Sequence, residues 1–243
     1  MKTMINAKTT NSKTLKLYRT PTHQCSYREQ ELASTIFIDP DTQITPQINS
    51  ELSEMGFRRS GSHIYRPDCE NCSACVPCRI DVKNFKWSGR FKRIWRRNQD
   101  LEITELETSE DQESITLYRN YIATKHSDGD MYPATLEQFR DFIAVRTTST
   151  KFIEMRYKDN LCAVSVVDYL DDGISAIYTY YDTSFSSRSL GYLAILYQIK
   201  KAENLNLSYV FLGYWIKGCK KMSYKTDFRP IEFLVGNRWL KAE

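Results

Sequence analysis

Apolar positions in the second half of the chain follow strand and helix periods. Apolar, β-rich runs at residues 151–157, 161–169 and 174–181 are separated by short turn sequences, which predicts three strands joined by hairpins. Residues 189–203 carry apolar side chains at helical spacing, and residues 207–215 form a further apolar run. The pattern therefore predicts an antiparallel meander, then a helix, then one more long strand.

Helix-start signals predict most of the remaining elements. A capping box pairs Ser or Thr with Glu or Gln three residues later, and it begins the predicted helices 26–36, 110–124 and 135–145. Thr45 and Pro46 supply an N-cap and a first-turn proline for a helix over 46–55. A strand over 80–85 and a cationic helix over 88–98 complete the predicted elements.

Length and composition are those of a soluble globular protein, with 243 residues, 41% hydrophobic positions, 26% charged positions and a net charge of +4. The N-terminus is polar without an apolar signal segment, and no later run is long enough to span a membrane, so a cytoplasmic protein is expected. The composition changes near residue 105. We expect a flexible tail over 1–22, a cysteine-containing, basic region over 23–105, and a second domain over 106–243.

A run of cysteines suggests a metal site. Two residues separate each neighbouring pair among Cys69, Cys72, Cys75 and Cys78, and Cys25 lies upstream. In a cytosolic protein this spacing is more typical of thiols or metal ligands than of disulfides. Because Pro77 makes the backbone extended before Cys78, the predicted ligands of a Zn²⁺ ion or iron–sulfur cluster are Cys25, Cys69, Cys72 and Cys75. Four reduced cysteines in a loop are the alternative.

The segment from Lys83 to Asn98 carries many cations and no acid. Trp87, Phe91 and Trp95 recur every four residues, which predicts an aromatic stripe that packs on the core rather than a base-stacking platform. A merely solvated helix would interleave acids, so the cations favour a polynucleotide surface. The predicted phosphate contacts here are Lys83, Arg90, Arg93, Arg96 and Arg97.

A second segment rich in cations and aromatic rings, Gly213 to Pro230, follows the last predicted strand. Bulky aromatic rings are costly to leave exposed to water at the end of a strand, so we predict that this segment lines a pocket. Its cations indicate that the ligand of the pocket is anionic. A solvated basic loop is the alternative. The polar loop before residue 189 contributes Arg188, and together with Gly191 it would offer free backbone N–H groups to a phosphate.

Several of these segments resemble the aminoacyl-tRNA–protein transferases, over about residues 23–232. The resemblance is carried by Gly56-Phe-Arg-Arg-Ser-Gly61, the cysteine run through Cys75-Val-Pro77, Arg97-Asn98 with Asp100-Leu101, Asp128-Gly-Asp-Met131, Leu212-Gly-Tyr-Trp-Ile-Lys-Gly-Cys-Lys-Lys-Met-Ser-Tyr-Lys225 and Phe228-Arg-Pro230. The compact length and the cysteine run resemble the bacterial branch, which uses leucine, rather than the longer eukaryotic arginyl enzymes. The resemblance implies an α+β fold with a cysteine-bearing N-terminal region. It also implies a C-terminal N-acetyltransferase-like (GNAT) domain whose mixed, mainly antiparallel sheet is flanked by helices.

The implied reaction is aminolysis of the leucyl ester of leucyl-tRNA by the N-terminal amine of a protein that begins with Asp or Glu, which marks that protein for N-end rule degradation. The ester is already activated, so the chemistry requires no cofactor and depends on positioning, an oxyanion donor and a proton path. Asp182 is predicted as base or amine anchor, and Tyr180 as donor to the oxyanion. The predicted substrate-binding residues are Arg58, Arg59, Tyr214, Lys217, Lys221, Tyr224, Lys225 and Arg229.

Three other functions fit parts of the sequence. An arginyl-tRNA donor is separated from a leucyl one by resemblance alone. Of the other two, the first is an acetyl-CoA-dependent N-acetyltransferase, in which the basic helix would have no role. The second is a non-enzymatic, zinc-containing nucleic-acid-binding module, in which the segment from Gly213 to Pro230 would have no role. Both stand beside the arginyl-tRNA alternative. His126 stands beside acids and is expected to brace its loop rather than to catalyse. We expect a monomer that contacts tRNA and acceptor proteins but no membrane.

Overall fold

The computed structural model describes residues 4–8, 14–129 and 131–242. Within them the strands are β1 (Met4–Lys8), β2 (Thr14–Arg19), β3 (His23–Gln24), β4 (Leu32–Ala33), β5 (Thr35–Ile38), β6 (Arg58–Ser60), β7 (His63–Pro67), β8 (Val76–Asp81), β9 (Glu102–Leu106), β10 (Thr150–Tyr157), β11 (Asn160–Leu170), β12 (Gly173–Tyr181), β13 (Tyr209–Trp215), β14 (Ile231–Val235) and β15 (Arg238–Lys241). The α-helices are α1 (Pro46–Glu54), α2 (Gly89–Arg97), α3 (Gln112–Lys125), α4 (Leu136–Gln138) and α5 (Leu190–Asn204). A π-helical segment covers Phe139–Ala144, and 3₁₀ segments cover Thr183–Arg188 and Lys220–Asp227.

The centre of the fold is an eight-stranded sheet in the order β15-β14-β8-β13-β12-β11-β10-β9. Its pairs are antiparallel apart from β12 and β13, which run parallel because the crossover helix α5 joins them. Helices α2 and α5 pack on one face, and α3 and the π-helical segment pack on the other. The predicted α+β class, with a mixed and mainly antiparallel sheet flanked by helices, is confirmed, and so is the meander that leads into α5 and β13.

A smaller five-stranded sheet, in the order β1-β2-β5-β7-β6, packs with α1 over a core of its own. In β2, Leu15 and Leu17 are buried while Thr14 and Lys16, which alternate with them, are exposed, so the strand has one face on this core. Residues 14–19 therefore form a strand, where a flexible tail was predicted. Residues 1–3 and 9–13 of the predicted tail lie outside the described part of the chain.

The helices predicted over 46–55, 88–98, 110–124 and 189–203 are confirmed as α1, α2, α3 and α5. The helix predicted over 26–36 is wrong, because the β-branched residues near its end extend into β5 and the preceding segment forms only the short pair β3–β4. The capping box at Thr135 is confirmed, although the helix becomes π-helical after one turn. Ser109 does not cap α3, because its hydroxyl is buried and donates to Glu154, and Asp111 is the cap.

The boundary predicted near residue 105 does not separate two sheets. Strand β8 lies between β13 and β14, so the eight-stranded sheet contains residues from both sides of that position. Helix α2 likewise shares its core with α5. The predicted strand over 80–85 corresponds to β8, which begins and ends earlier, at Val76 and Asp81. Across the described ranges, no helix has both the length and the apolar character that a bilayer crossing requires.

Candidate functional site

The parallel strands β12 and β13 pair only at their beginnings. The ladder runs from Gly173 opposite Tyr209 to Ser175 opposite Phe211, and both strands then continue without further pairing to each other. Parallel strands that diverge open a cleft and leave backbone N–H and C=O groups along both inner edges for other partners. We call this opening, between residues 176–181 and 212–215, the strand cleft.

Arg58, from β6 of the smaller sheet, is inserted into the strand cleft. Its guanidinium donates from Nη2 to the carbonyl of Ala176 and from Nη1 to that of Phe211 at 3.5 Å, so it bridges the two diverging strands. It lies against Gly213, where a Cβ atom would approach the Arg58 Cζ atom to 2.8 Å. Gly213 also has a φ of +77°. The predicted substrate residue Arg58 therefore brings a fixed positive charge to the cleft.

A second cation, Lys225, reaches the same place from the 3₁₀ segment Lys220–Asp227. Its side chain is 8% exposed, and its Nζ atom donates to the Tyr214 carbonyl at 2.5 Å. Burial, together with the nearby charge of Arg58, lowers the pKa of Lys225 to about 8. Burial also raises the pKa of the neighbouring Cys78 thiol to about 11, so Cys78 is neutral and leaves the cation without an anionic partner there.

Aromatic rings continue the site outward from these cations. The Tyr121 ring lies 4.9 Å from that of Tyr181, and the Tyr192 ring lies 6.3 Å from that of Tyr224. Burial raises the pKa of Tyr224 to about 12, with a smaller raising contribution from Cys78 and an opposing one from the charge of Arg58. Sequence reasoning missed Tyr121, Tyr181 and Tyr192, because α3, β12 and α5 each contribute one ring and no local spacing relates them.

The remaining residues of the predicted pocket have other contacts. Lys221 pairs with Asp128 at 3.0 Å, which holds the loop after α3 against the 3₁₀ segment. The His126 ring packs 5.4 Å from that of Tyr121, and burial, then the charge of Lys221, lowers its pKa. Lys217 and Arg229 are exposed. Asp130, within the predicted motif, lies outside the described residues.

Tyr214 has a structural role in the site. Its ring is buried, and its hydroxyl donates to the Gly56 carbonyl at 2.8 Å. It lies 6.0 Å from the Tyr65 ring of the smaller sheet. Tyr214 therefore holds its own backbone in place, and its backbone carbonyl is the group that accepts the hydrogen bond from Lys225.

Arg59, predicted to bind the acidic first residue of an acceptor, does not face the strand cleft. Its side chain is 2% exposed and forms an ion pair with Asp168. Further donors reach the Gly61 and Val145 carbonyls at 3.0 and 3.1 Å. The substrate-binding prediction for Arg59 is therefore wrong, because the guanidinium is fully occupied inside the protein.

The two predicted catalytic residues differ in position. The Tyr180 hydroxyl is buried and lies 2.6 Å from the Ser114 hydroxyl, so it cannot reach a ligand in the cleft and the prediction is wrong. Asp182 follows Tyr181 at the end of β12 and is partly exposed. Its carboxylate accepts from the Ser184 backbone N–H at 2.8 Å and caps the 3₁₀ segment. Its catalytic role stays a prediction.

The aromatic stripe of α2 packs on the core, as predicted. Phe91 stacks on Phe228 with ring centroids 4.9 Å apart, and Trp87 contacts Trp95 edge-on at 5.6 Å. Because Phe228 ends the segment that carries Lys225, this packing fixes the cationic helix beside the strand cleft.

The cations predicted to bind phosphates fall into two groups. Some have protein partners: Arg90 pairs with Asp227 at 2.9 Å, Arg97 donates to the Ser187 carbonyl, and Arg188 pairs with Asp100 at 2.7 Å. Gly191 packs against the Tyr181 ring, 3.4 Å from where its Cβ atom would lie. The second group is exposed and makes no ion pair within the described residues; it comprises Lys83, Arg93 and Arg96.

The four cysteines predicted to bind metal lie near one another. Burial raises the pKa of Cys75 to about 11, with smaller contributions from Cys69, Cys25 and Cys72. Cys69 and Cys72 face each other in an isolated antiparallel bridge. In residues 14–129 and 131–242, however, no group of three or more His, Cys, Asp or Glu side chains is arranged to hold a metal ion. The zinc or iron–sulfur site stays a prediction, and no chemical step is assigned to it.

A cleft that combines cations, aromatic hydroxyls and open backbone groups suits group transfer between two charged substrates. The chain belongs to the arginine-tRNA-protein transferase family, whose N-terminal and C-terminal sequence models match residues 23–93 and 113–235. The predicted resemblance to the aminoacyl-tRNA–protein transferases is thereby confirmed.

Relatives of this chain carry the name aspartate/glutamate leucyltransferase. The protein of Pseudomonas fluorescens (strain Pf0-1) is 48% identical over 93% of this chain and 96% of its own length. The protein of Stutzerimonas stutzeri (strain A1501) is 50% identical with the same coverage, and that of Hahella chejuensis (strain KCTC 2396) is 45% identical over 95% of this chain and 98% of its own length. The solved structure of L-PGS from Bacillus licheniformis matches 68% of this chain and 49% of its own chain, at 11% identity and a TM-score of 0.44.

Proposed function

We propose that this protein transfers leucine from leucyl-tRNA to the N-terminal amine of proteins that begin with Asp or Glu, and so creates a degradation signal. Relatives with 45–50% identity, named aspartate/glutamate leucyltransferase, match nearly the whole chain and support the proposal. The structural observation that carries it is the pair of cations, Arg58 and Lys225, at the strand cleft. All participating residues come from one chain, so a monomer suffices.

The acidic side chain of the acceptor binds at Arg58 and Lys225. Lys225 is buried with a lowered pKa, which means that its charge is poorly compensated in the free protein. A carboxylate that enters the cleft supplies the missing counter-charge. A charge-assisted hydrogen bond contributes roughly 1.5–3 kcal/mol, which is enough to distinguish an acidic first residue from a neutral one.

The transfer step is aminolysis. The acceptor nitrogen attacks the ester carbonyl, a new amide bond forms, the bond to the ribose oxygen breaks, and the proton lost by the amine ends on that oxygen. An α-amine has a pKa of about 7.7–8.0, so a sizeable neutral fraction exists near pH 7 and a weak base suffices. The Tyr224 hydroxyl, whose pKa is raised to about 12, stays protonated and donates to the developing oxyanion.

The tRNA body binds along the exposed face of α2. Arg93 and Arg96 are exposed there, and the stacking of Phe91 on Phe228 holds this helix next to the strand cleft. A backbone bound on α2 would therefore deliver its 3′ end toward the cleft. Arg90 and Arg188, which already have carboxylate partners, position neighbouring segments.

The test is a transfer assay with purified protein. Leucyl-tRNA labelled in the amino acid is incubated with peptides that begin with Asp, Glu or Lys, and arginyl-tRNA and labelled acetyl-CoA are run in parallel. Label on the Asp and Glu peptides from leucyl-tRNA alone supports the proposal. Transfer from arginyl-tRNA would favour the arginyl alternative, and acetylation would favour an N-acetyltransferase. Binding of tRNA without any transfer would favour the non-enzymatic alternative.

A further inference from the structure

A cavity of about 670 Å³ lies between the turn that joins β6 to β7 and the π-helical segment Phe139–Ala144. Gly61 brings these segments together, because a Cβ atom there would lie 2.1 Å from the Asp141 carbonyl oxygen. The volume falls within the ~300–1,000 Å³ typical of small-molecule sites. π-Helical turns often occur at functional sites. None of the residues assigned above to the acceptor or to tRNA lines this cavity.

The lining of the cavity combines apolar and polar side chains. Tyr118, Met131, Phe142 and Val145 supply apolar surface, and Ser60, Ser62, His63 and Gln138 supply hydrogen-bonding groups. Asp141 is the one carboxylate of the described lining; it is exposed and has no hydrogen bond or ion pair with any described residue. The described lining contains neither lysine nor arginine, which disfavours a phosphate. The cavity therefore suits a group that combines an apolar side chain with a positive charge.

Aromatic contacts connect this cavity to the strand cleft. The Tyr178 hydroxyl donates to the Met131 sulfur at 3.8 Å, and the Tyr178 ring lies 5.1 Å from that of Phe142. On its other side Tyr178 lies 6.4 Å from the Tyr121 ring, which contacts Tyr181 at the cleft. The Tyr178 and Tyr121 rings thus form the wall between the cavity and the diverging end of β12.

We propose that this cavity binds the leucyl group of the donor, with the isobutyl side chain against Met131 and Phe142 and the α-ammonium group at Asp141. The proposal rests on the proposed function and adds to it the place where the donor amino acid is selected. With the leucyl group bound there, its ester carbonyl faces the strand cleft, where the acceptor amine enters. The cavity then distinguishes leucine from other amino acids by shape and by its apolar wall.

The test measures binding without transfer. The probe is 3′-deoxy-3′-(leucylamino)adenosine, an amide analogue of the charged tRNA end, and the same compound carrying phenylalanine or arginine is compared. We expect Met131→Trp, which fills the cavity, to weaken binding of the leucyl probe by about tenfold or more. Phe142→Ala should improve the phenylalanyl probe relative to the leucyl probe by about tenfold. Asp141→Asn should weaken the leucyl probe roughly tenfold.

Glu137→Gln is the matched control, because Glu137 is an exposed acid on the neighbouring helix α4 and does not line the cavity. Thermal unfolding of each variant checks that it is folded. If Phe142→Ala fails to fold, binding of the leucyl probe to Met131→Trp is the deciding measurement, because Met131 lies on a loop where a substitution disturbs the fold less. Equal affinities for the leucyl probe in wild type, Met131→Trp and Asp141→Asn overturn the inference, as does a wild type that does not bind the probe. Selective binding without any leucine transfer would instead defeat the proposed function and leave the inference standing.

Discussion

The guanidinium of Arg59 is held by both oxygens of the Asp168 carboxylate, with Nε–Oδ2 at 2.6 Å and Nη2–Oδ1 at 2.8 Å. Arg59 belongs to β6 of the smaller sheet and Asp168 to β11 of the larger one, so this buried pair joins the two sheets. Thr150 donates to the same carboxylate at 2.6 Å, and Asn49 of α1 donates at 3.4 Å. The position of Arg58 in the strand cleft depends on this joint, because Arg58 is the preceding residue.

Removing the Arg59 guanidinium should destabilise the fold. Arg59→Ala leaves a buried carboxylate without a counter-charge, so we expect a loss of roughly 3–5 kcal/mol in the free energy of unfolding. Urea unfolding measures it. The double variant Arg59→Met, Asp168→Leu removes both charges and should recover most of that loss. A single variant that loses less than about 1 kcal/mol, as an ordinary surface substitution would, contradicts the structural role.

Arg58 and Arg59 also show why the site could only partly be predicted. Both were candidates for the same role, because the sequence places two arginines side by side after Gly56. Successive residues of a strand point to opposite faces. Which arginine faces the cleft depends on how β6 docks on the larger sheet, and that contact is between residues far apart in the sequence.

The same distinction holds for the fold. Helices α1 and α5 were predictable because the Thr45 cap of the first and the apolar periodicity of the second each lie within one short segment. Strand β8 is paired with β13 and β14, which follow more than a hundred residues later in the sequence. No local sequence pattern predicts that pairing. The strand cleft depends on the same long-range arrangement. The segment from Gly213 to Pro230 could be recognised because its rings and cations are contiguous, whereas Tyr121 and Tyr192 come from separate helices.

Gly213→Ala should impair acceptor binding through Arg58. The new Cβ atom would lie 2.8 Å from both Cζ and Nε of Arg58, so the guanidinium must move away from the carbonyls that it bridges. We expect the KM for a peptide that begins with Asp to rise roughly tenfold, because the variant loses about one charge-assisted hydrogen bond to the acidic side chain. Initial-rate measurements at saturating leucyl-tRNA give this constant.

Gly218→Ala is the control for backbone strain. Gly218 has a φ of +84°, close to that of Gly213, but nothing lies within 4 Å of its added Cβ atom. Both variants bear the left-handed strain of about 1–2 kcal/mol, and only Gly213→Ala displaces Arg58. Equal KM values for the two variants would mean that Arg58 does not contact the acceptor.

The acceptor KM should depend on the charge of Lys225. Its pKa is lowered to about 8, so Lys225 is charged below that pH and neutral above it. Attraction to the acidic side chain is therefore lost as the pH rises through about 8. Lys225→Arg stays charged throughout this range, and the acceptor amine titrates identically for both proteins. We expect the ratio of the wild-type KM to the Lys225→Arg KM to rise between pH 7 and pH 9, and a constant ratio would refute the role of Lys225.

Charge reversal on α2 should weaken tRNA binding in a salt-dependent way. Arg93 and Arg96 are exposed and make no ion pair within the described residues, whereas Arg90 pairs with Asp227 and Arg97 donates to the Ser187 carbonyl at the surface. Arg93→Glu with Arg96→Glu therefore removes cations without disturbing the packed face of the helix. The affinity for leucyl-tRNA should fall, and the slope of log K against log salt should shrink by about one for each phosphate that the variant no longer neutralises. Arg238→Glu, at the exposed start of the edge strand β15, is the control for charge reversal away from α2, and each single α2 variant matches it in net charge. If the α2 double variant and the Arg238 variant show the same affinity and the same slope, tRNA does not bind along α2, and another surface must deliver the charged 3′ end to the strand cleft.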